Sequence, residues 1–543
     1  MEVLGMSEAT IEIFDEEHEG SGGLKREIGW THAVWVATGA PALVLFSIGG
    51  IAATVGSPSW LCWIVSVLIG SIQMFTYAEV CSMFTHKSGG TAIAGSMAWL
   101  KYGKIFPAIS AWTYWLGWTP VIAIGTSLAS GYVLTSLFPA TSAINTWNHV
   151  LVTLPLGISL QVNATFFLSC FLMLVCFFIQ SKGILSIARV QMVFAVCSLL
   201  PLGLIGIVPL ITGDIPAAHF APFVPLAHDA KGNVIPGSWN GAGWTLFGAG
   251  VFLAGWSTYG LETALVYTRE FTNPKKDTIK AALGISAVCL FFYTLVPLSF
   301  QGSLGLAGLL DPGILSGAGV GLAMAHMVTS ANWFVYIVVI MLLFTLLLSV
   351  MAAIAGSART LFQSSKDGFL PKYLSHTNKR NTPTWAMWTD LSVNVVLLMM
   401  NNDLYILALS NVAYMTFIYM NLQSGWIHRM DRPQWTRSYK APAILLALGA
   451  ACGFLDMFVI GVGANSYGPG VLVGGFTVVF LSVPIFLYRH YITDKGKFPA
   501  DFNADIQPGG PVTAVTYKAG YLPYLAVAGA VAAVLLGKYL AVY

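Results

Sequence analysis

Gly255-Trp256-Ser257-Thr258-Tyr259-Gly260-Leu261-Glu262 interrupts an apolar run that extends over residues 243–271. Thr38-Gly39-Ala40-Pro41 interrupts another, over 30–54. Glycine removes the steric support of a helix, and proline removes a backbone donor. Inside a bilayer every freed N–H and C=O needs a partner. Half-helix N-termini favour anions and C-terminal ends favour cations, so two facing breaks suit a ligand that carries both a carboxylate and an ammonium. Gly and Pro are also common in membrane helices as notches and kinks. What favours a binding site is the matched placement of the two interruptions.

That placement emerges from the rest of the chain. It has 543 residues, 56% hydrophobic and 9% charged, with mean hydropathy +0.73. Soluble domains carry about 25% charged residues, so most of this chain belongs in lipid. Twelve apolar spans read at 30–54, 59–84, 105–137, 165–182, 186–212, 243–271, 279–303, 331–360, 384–401, 404–426, 441–464 and 468–489. A last apolar stretch, Tyr521 to Tyr543, contains Lys538 and reads as a thirteenth helix or an interfacial segment. The breaks then fall in spans 1 and 6, the first helices of a five-plus-five arrangement.

Basic residues orient the spans. Of 26 Lys and Arg, all but Lys231 lie in the N-terminal tail, in even-numbered connections or beyond span 12. By the positive-inside rule the N-terminus is cytoplasmic. The acidic stretch Glu8 to Gly23 lacks the features of a signal peptide and reads as a short disordered tail. The net charge of +3 gives no reason to expect a nucleic-acid partner. Seven cysteines lie in apolar runs with no CxxC pair, so neither a disulfide framework nor a metal site is expected.

Span 6 and its exit, Arg269-Glu270-Phe271-Thr272-Asn273-Pro274-Lys275-Lys276, resemble the amino acid–polyamine–organocation (APC) superfamily. In that superfamily an aromatic–Ser–x–x–Gly–x–Glu break is followed by an acidic residue and Asn-Pro-(Lys/Arg). Tyr77-Ala78-Glu79 with Ser88-Gly89-Gly90 is similar to the second helix and its exit. Ser357-Ala358-Arg359, Asp367-Gly368-Phe369-Leu370-Pro371 and Thr382-Pro383 are similar to the loop after the eighth helix. The resemblance spans about residues 25–490. It implies an all-α membrane protein with ten core helices in two inverted repeats and two peripheral ones. The corresponding organisation is a tail over 1–28, a transport core over 29–426, peripheral helices over 427–490 and a C-terminal segment over 491–543. Span 1 departs from the frequent Gly-Ser-Gly break. Several members carry a lysine in span 5 in place of a sodium ion; aligned from Ala188-Arg189-Val190, that place falls near Ser198.

Thr38, Gly39, Ala40, Pro41, Ser257 and Gly260 are candidates for backbone recognition of substrate, and Tyr259 for the pocket wall. Trp256 stands where the resemblance puts an aromatic that closes over the substrate, and its ring offers a stacking face to a cation. Glu262 is an intramembrane carboxyl, functional by default and typical of proton relays. The resemblance links its counterpart in arginine/agmatine antiporters to proton sensing or coupling. Glu79 and Glu270 are candidate gates, with Lys87 or Arg359 as the expected partner of Glu79. Asp390 and Asp456 are expected to make structural hydrogen bonds.

These residues imply a secondary transporter of amino acids or related amines in the cell membrane, by proton-coupled symport or exchange, with sodium as the other ion to consider. The alternative is a transporter-like receptor that senses the same ligand, but only the tail and the 490–520 segment are candidates for signalling. No HExxH, GxSxG or GxxxxGK[ST] motif occurs, so an enzyme or an ATP-driven pump is not expected, nor a cofactor.

Overall fold

The computed structural model describes residues 26, 28–85, 87, 89–139, 141–153, 159–182, 184–228, 234–315, 317–500, 502 and 515–542. The acidic tail up to residue 25, Ser88, Ala230 and Lys231 lie outside them, as does the side chain of Arg189.

Span 1 is two helices, α1 (Trp30–Ala37) and α2 (Val44–Val55), joined through a 3-10 turn, Pro41–Leu43. Next come α3 (Ser59–Cys81) and the short α4 (Gly90–Trp99). Span 3 is α5 (Phe106–Trp118) and α6 (Pro120–Leu137). A turn of helix, α7 (Ala143–Thr146), leads into an antiparallel hairpin, β1 (Asn148–Thr153) and β2 (Ser159–Asn163). Spans 4 and 5 are α8 (Ala164–Gln180) and α9 (Ile184–Thr212). The long connection before span 6 holds a second hairpin, β3 (Leu226–His228) and β4 (Val234–Pro236), with Ala227 opposite Ile235. Span 6 is α10 (Gly241–Thr258), which passes into 3-10 turns at Gly260–Leu265 and Thr268–Glu270. Span 7 is α11 (Pro274–Leu309), followed by the short α12 (Pro312–Leu315) and α13 (Val320–Val328). Spans 8 to 11 are α14 (Asn332–Lys366), α15 (Thr384–Met400), α16 (Asp403–Asp431) and α17 (Ala443–Gly463). Span 12 is α18 (Val471–Phe480) and α19 (Ser482–Leu487), running into a π-helical turn, Tyr488–Thr493. The last helix is α20 (Leu522–Leu540).

Among the described residues ten helical stretches are long and apolar enough to cross a membrane. They include the C-terminal stretch α20, which the sequence alone left between a span and an interfacial segment. Spans 4 and 9 are shorter apolar helices of 17 residues each. Span 6 was read to 271, but its regular helix ends at Thr258, where the backbone turns out at Tyr259-Gly260. The two hairpins in the connections are additions to the expected all-helical chain.

Local chemistry starts several spans. Asn163, Asn240 and Asn402 cap α8, α10 and α16, each side chain accepting from the backbone N–H three residues on. Asn273-Pro274 starts α11 in the same way, with proline where no donor is needed. The centre of the molecule is aromatic. Trp63, Trp256, Tyr77, Tyr114, Tyr259, Tyr293 and Tyr414 are all fully buried there.

Candidate functional site

The two breaks meet. At the first, α1 ends with the Thr38 N–H donating to Trp35 O at 3.3 Å, and the Thr38 hydroxyl donates to the same oxygen at 2.5 Å. The chain then turns through Gly39 and Ala40 into Pro41. Gly39 is required by close approach. A Cβ there would lie 3.0 Å from Ser349 Cα, on the backbone of α14. The contact lets the Ser349 hydroxyl donate to Gly39 O at 2.7 Å.

At the second break the Ser257 hydroxyl donates to Leu43 O at 3.1 Å and stands 3.3 Å from the Ser47 hydroxyl. Tyr293 of α11 joins the breaks. Its hydroxyl is 2.5 Å from Ala40 O and 2.6 Å from Ser257 O. Tyr414 of α16 donates to Tyr259 O at 3.0 Å. Thus carbonyls released by both interruptions are met by side-chain hydroxyls from spans 6, 7, 8 and 10, as burial at membrane depth demands.

Trp256 is buried between spans. Its Nε1 donates to Gly117 O at 3.2 Å, and its ring lies 5.8 Å from that of Phe46, tilted by 41°. Tyr259 has its hydroxyl hydrogen-bonded to Asp456, and Asp456 also accepts from Gln73 Nε2 at 3.0 Å. Asp456 therefore reaches the span 6 break, beyond the structural bonding expected of it. Asp390 has the structural role expected. It accepts from Ser357 Oγ at 2.5 Å and from Trp115 Nε1, fastening α15 to α14 and α5.

Glu262 lies in the 3-10 turn just past the break and is fully buried. Trp118 Nε1 donates to its Oε1 at 2.9 Å, and the Tyr414 hydroxyl also bonds the carboxyl. Its Oε2 finds no hydrogen-bond partner among the described residues. The buried hydroxyls of Tyr77, Tyr114 and Thr258 are likewise without one. An unpaired buried carboxyl oxygen is costly, and this one can take a donor from a ligand or a proton.

On the face that carries the basic residues, the breaks are covered by buried ion pairs. Glu270 binds Arg359, with Nε at 2.7 Å and Nη2 at 3.4 Å. The Arg359 guanidinium lies over the Tyr267 ring at 5.1 Å. The Glu270 carbonyl accepts from the Ile28 N–H at 3.2 Å, so the chain entering span 1 is clipped to the exit of span 6. The expected partners of Glu79 are not the ones found. Neither Lys87 nor Arg359 pairs with it. Glu79 accepts from Arg429 at 2.9 and 2.6 Å, from the Ala441 N–H at 2.8 Å, and lies 3.2 Å from Arg437 Nε. The reason is that α3 packs against α16 and α17, whose connection carries both arginines, while Arg359 is taken by Glu270. Lys87 instead pairs with Asp367, 2.8 Å to Oδ1 and 2.9 Å to Oδ2. Burial lowers the pKa of Arg437, against the opposing charge of Glu79.

Thr38, Gly39, Ala40, Pro41, Trp256, Ser257, Tyr259, Gly260 and Glu262 are thus collected around one buried junction, with Glu79 and Glu270 in the ion pairs on the basic face. The sequence reading missed Tyr293, Ser349, Trp118 and Tyr414. Each sits in an apolar run where an isolated polar atom looks like packing.

Comparison with known families gives a match to the amino acid permease model over residues 28–487. No curated protein matches the chain. The matched region runs from the entry of span 1 to the end of α19 and contains both breaks, their hydroxyl donors and the ion pairs beneath them. The chain belongs to the amino acid permease family of the APC superfamily, and it is a multi-pass membrane protein that transports amino acids and is not an enzyme.

Proposed function

We propose that this permease is a secondary active transporter. It moves an amino acid or related amine by alternating access across the cell membrane, coupled to protons as a symporter or an exchanger. Residues 29–426 form the five-plus-five inverted-repeat core, 427–490 two peripheral helices, and 491–543 a C-terminal segment with a further span. The tail over 1–28 is cytoplasmic. Substrate sits at the junction of the breaks, with its charged groups on the backbone of Thr38 to Pro41 and Ser257 to Gly260. Trp256 closes over it, and Tyr259 forms part of the wall. Glu79 and Glu270 gate the cytoplasmic side.

The observation that carries this reading is the meeting of the two interruptions beside Glu262, whose Oε2 has no partner. Proton coupling is favoured over sodium by the same geometry. A cation site in a break uses freed carbonyl oxygens. Here Gly39 O, Ala40 O, Leu43 O and Ser257 O already accept from hydroxyls. Ser198 near the alternative place in span 5 supplies no cationic side chain.

Glu262→Gln tests the coupling. It imitates the protonated carboxyl without the capacity to release. In proteoliposomes with an imposed pH gradient, binding should survive, the pH dependence of uptake should flatten, and concentrative uptake should be lost. Exchange persists if both substrates use the neutral state. A Gln variant that still concentrates substrate with the parent's pH profile would sink the assignment, and sodium-dependent uptake by the parent would move the coupling site to the carbonyls of spans 1 and 8.

A further inference from the structure

We propose that the segment following span 12, residues 489–502, is a strap that holds the basic face of the transport site shut, with Phe502 as the residue that positions the Lys87–Asp367 pair. The inference rests on the alternating-access reading but concerns residues outside the break.

The strap is fastened to the exit of span 8 by several kinds of contact. The Arg489 Nη1 donates to Leu370 O at 2.8 Å. Asp494 bridges Arg489 and Lys372, at 2.6 Å from Nε and 3.0 Å from Nζ. Burial raises the Asp494 carboxyl, but hydrogen bonds from Arg489 and Lys372 outweigh that and hold it below the usual carboxylate range. The clasp therefore stays charged at neutral pH. The rings of Phe498 and Phe502 both meet Phe369 edge-on, with centroids 5.7 and 5.5 Å away, and lie 4.9 Å from each other. Between them Pro499 lies against Gly368. Gly368 has φ +85°, and a Cβ there would come within 2.6 Å of Pro499 Cδ. The Asp367-Gly368-Phe369 loop is thus shaped to receive this segment.

What lies under the strap is a gate contact. Lys87 belongs to the connection after span 2, and Asp367 to the exit of span 8. Their ion pair joins two elements that must part before the basic face can open on the break. Gln363 Nε2 supports the carboxylate at 3.0 Å. Phe502 covers the ammonium, with its ring centroid 5.0 Å from Lys87 Nζ. The ring adds a cation–π contact and keeps water from the pair, which strengthens the attraction. Lys87 is 8% exposed with the ring in place. Opening the gate requires the strap to lift from Lys87 or the loop after span 2 to slide from under it.

Cys81, buried at the foot of α3 on the same face, is a native reporter of that opening. The full-length protein is treated with N-ethylmaleimide, and the rate at each cysteine is read by peptide mass spectrometry. Phe502→Ala should speed alkylation of Cys81 by about two- to tenfold, the range expected for the lost ring contact. Cys170 and Cys452, partly exposed on other helices, should keep their parental rates. Phe502→Tyr should restore the parental Cys81 rate. Phe502→Leu, which keeps an apolar side chain without the ring, should label faster than the parent and serves if the alanine variant does not fold. Parental Cys81 labelling in both the Ala and Leu variants would overturn the proposal. So would an equal rise at Cys170 and Cys452, which would mean general loosening. The readout needs no substrate, so a wrong substrate or coupling assignment leaves it unaffected. A failure here in turn leaves the Glu262 test standing.

Discussion

Tyr293→Phe removes one oxygen from the junction of the two breaks and little else. The phenyl ring that remains can keep its stacking on Trp63, where the centroids are 5.6 Å apart and the planes 13° from parallel. The lost hydroxyl served Ala40 O and Ser257 O, at 2.5 and 2.6 Å. One proton cannot fully satisfy two acceptors, so the loss is nearer one strong hydrogen bond than two. A buried carbonyl left without its donor costs about 1–3 kcal/mol, or about five- to 150-fold in an equilibrium constant. If these carbonyls set the geometry of the binding junction, the loss appears as a rise in the apparent KM for uptake. If Tyr293 only braces span 7, it appears in thermal stability with KM unchanged. Initial uptake rates in proteoliposomes and unfolding of the purified protein are measured side by side. The expected result is a KM raised at least fivefold. A KM within twofold of the parent, with any change in melting temperature, would refute the view that the Tyr293 bridge organises the binding site.

Trp256→Ala should weaken substrate binding by roughly 1–2 kcal/mol if the indole stacks on a desolvated cation, measured by equilibrium binding to the purified protein; unchanged affinity would make Trp256 a packing residue between Phe46 and Gly117. For topology, a cysteine at Ser238, beside the second hairpin, should react with an impermeant reagent added outside intact cells, and one at Ser375, after the strapped loop, should not. The reverse pattern would invert the chain in the membrane.

How much of this was legible follows from which residues carry a signal in one dimension. The breaks were readable because Gly39-Ala40-Pro41 and Gly255 to Gly260 offend the local rules of a helix, whatever packs against them. Glu262 was readable because a carboxyl in an apolar run has a cost that must be answered. Tyr293 was not. In Phe291-Phe292-Tyr293 a hydroxyl looks like one more aromatic, and only the fold brings it to two carbonyls on other spans. Glu79 illustrates the opposite failure. Its need for a cation was plain, but Lys87, Arg359, Arg429 and Arg437 all lie on the same face. Which of them it takes depends on α3 packing against α16, a long-range fact that spacing does not encode. Asp456 was read as structural because its helix is peripheral, yet α17 reaches far enough inward for its carboxyl to bond Tyr259.

The basic face raises a question of energetics that its ion pairs themselves answer. A carrier that alternates must break its closure in every cycle, so a closure of large apolar area would trap it. Burying charges in the interior sacrifices their hydration, and the attraction between them roughly offsets that sacrifice. When Arg359 leaves Glu270, or Lys87 leaves Asp367, water returns to both partners, and much of the lost attraction is recovered. The closed geometry is nevertheless well defined, because a misplaced partner would leave a buried charge unpaired at a cost of about 3–5 kcal/mol. Pairs of this kind give a sharply specified closed state with a modest free-energy difference from the open one. They also explain why a single aromatic ring over Lys87 can matter. Where the large terms nearly cancel, a contact of about 1 kcal/mol changes the open fraction several-fold.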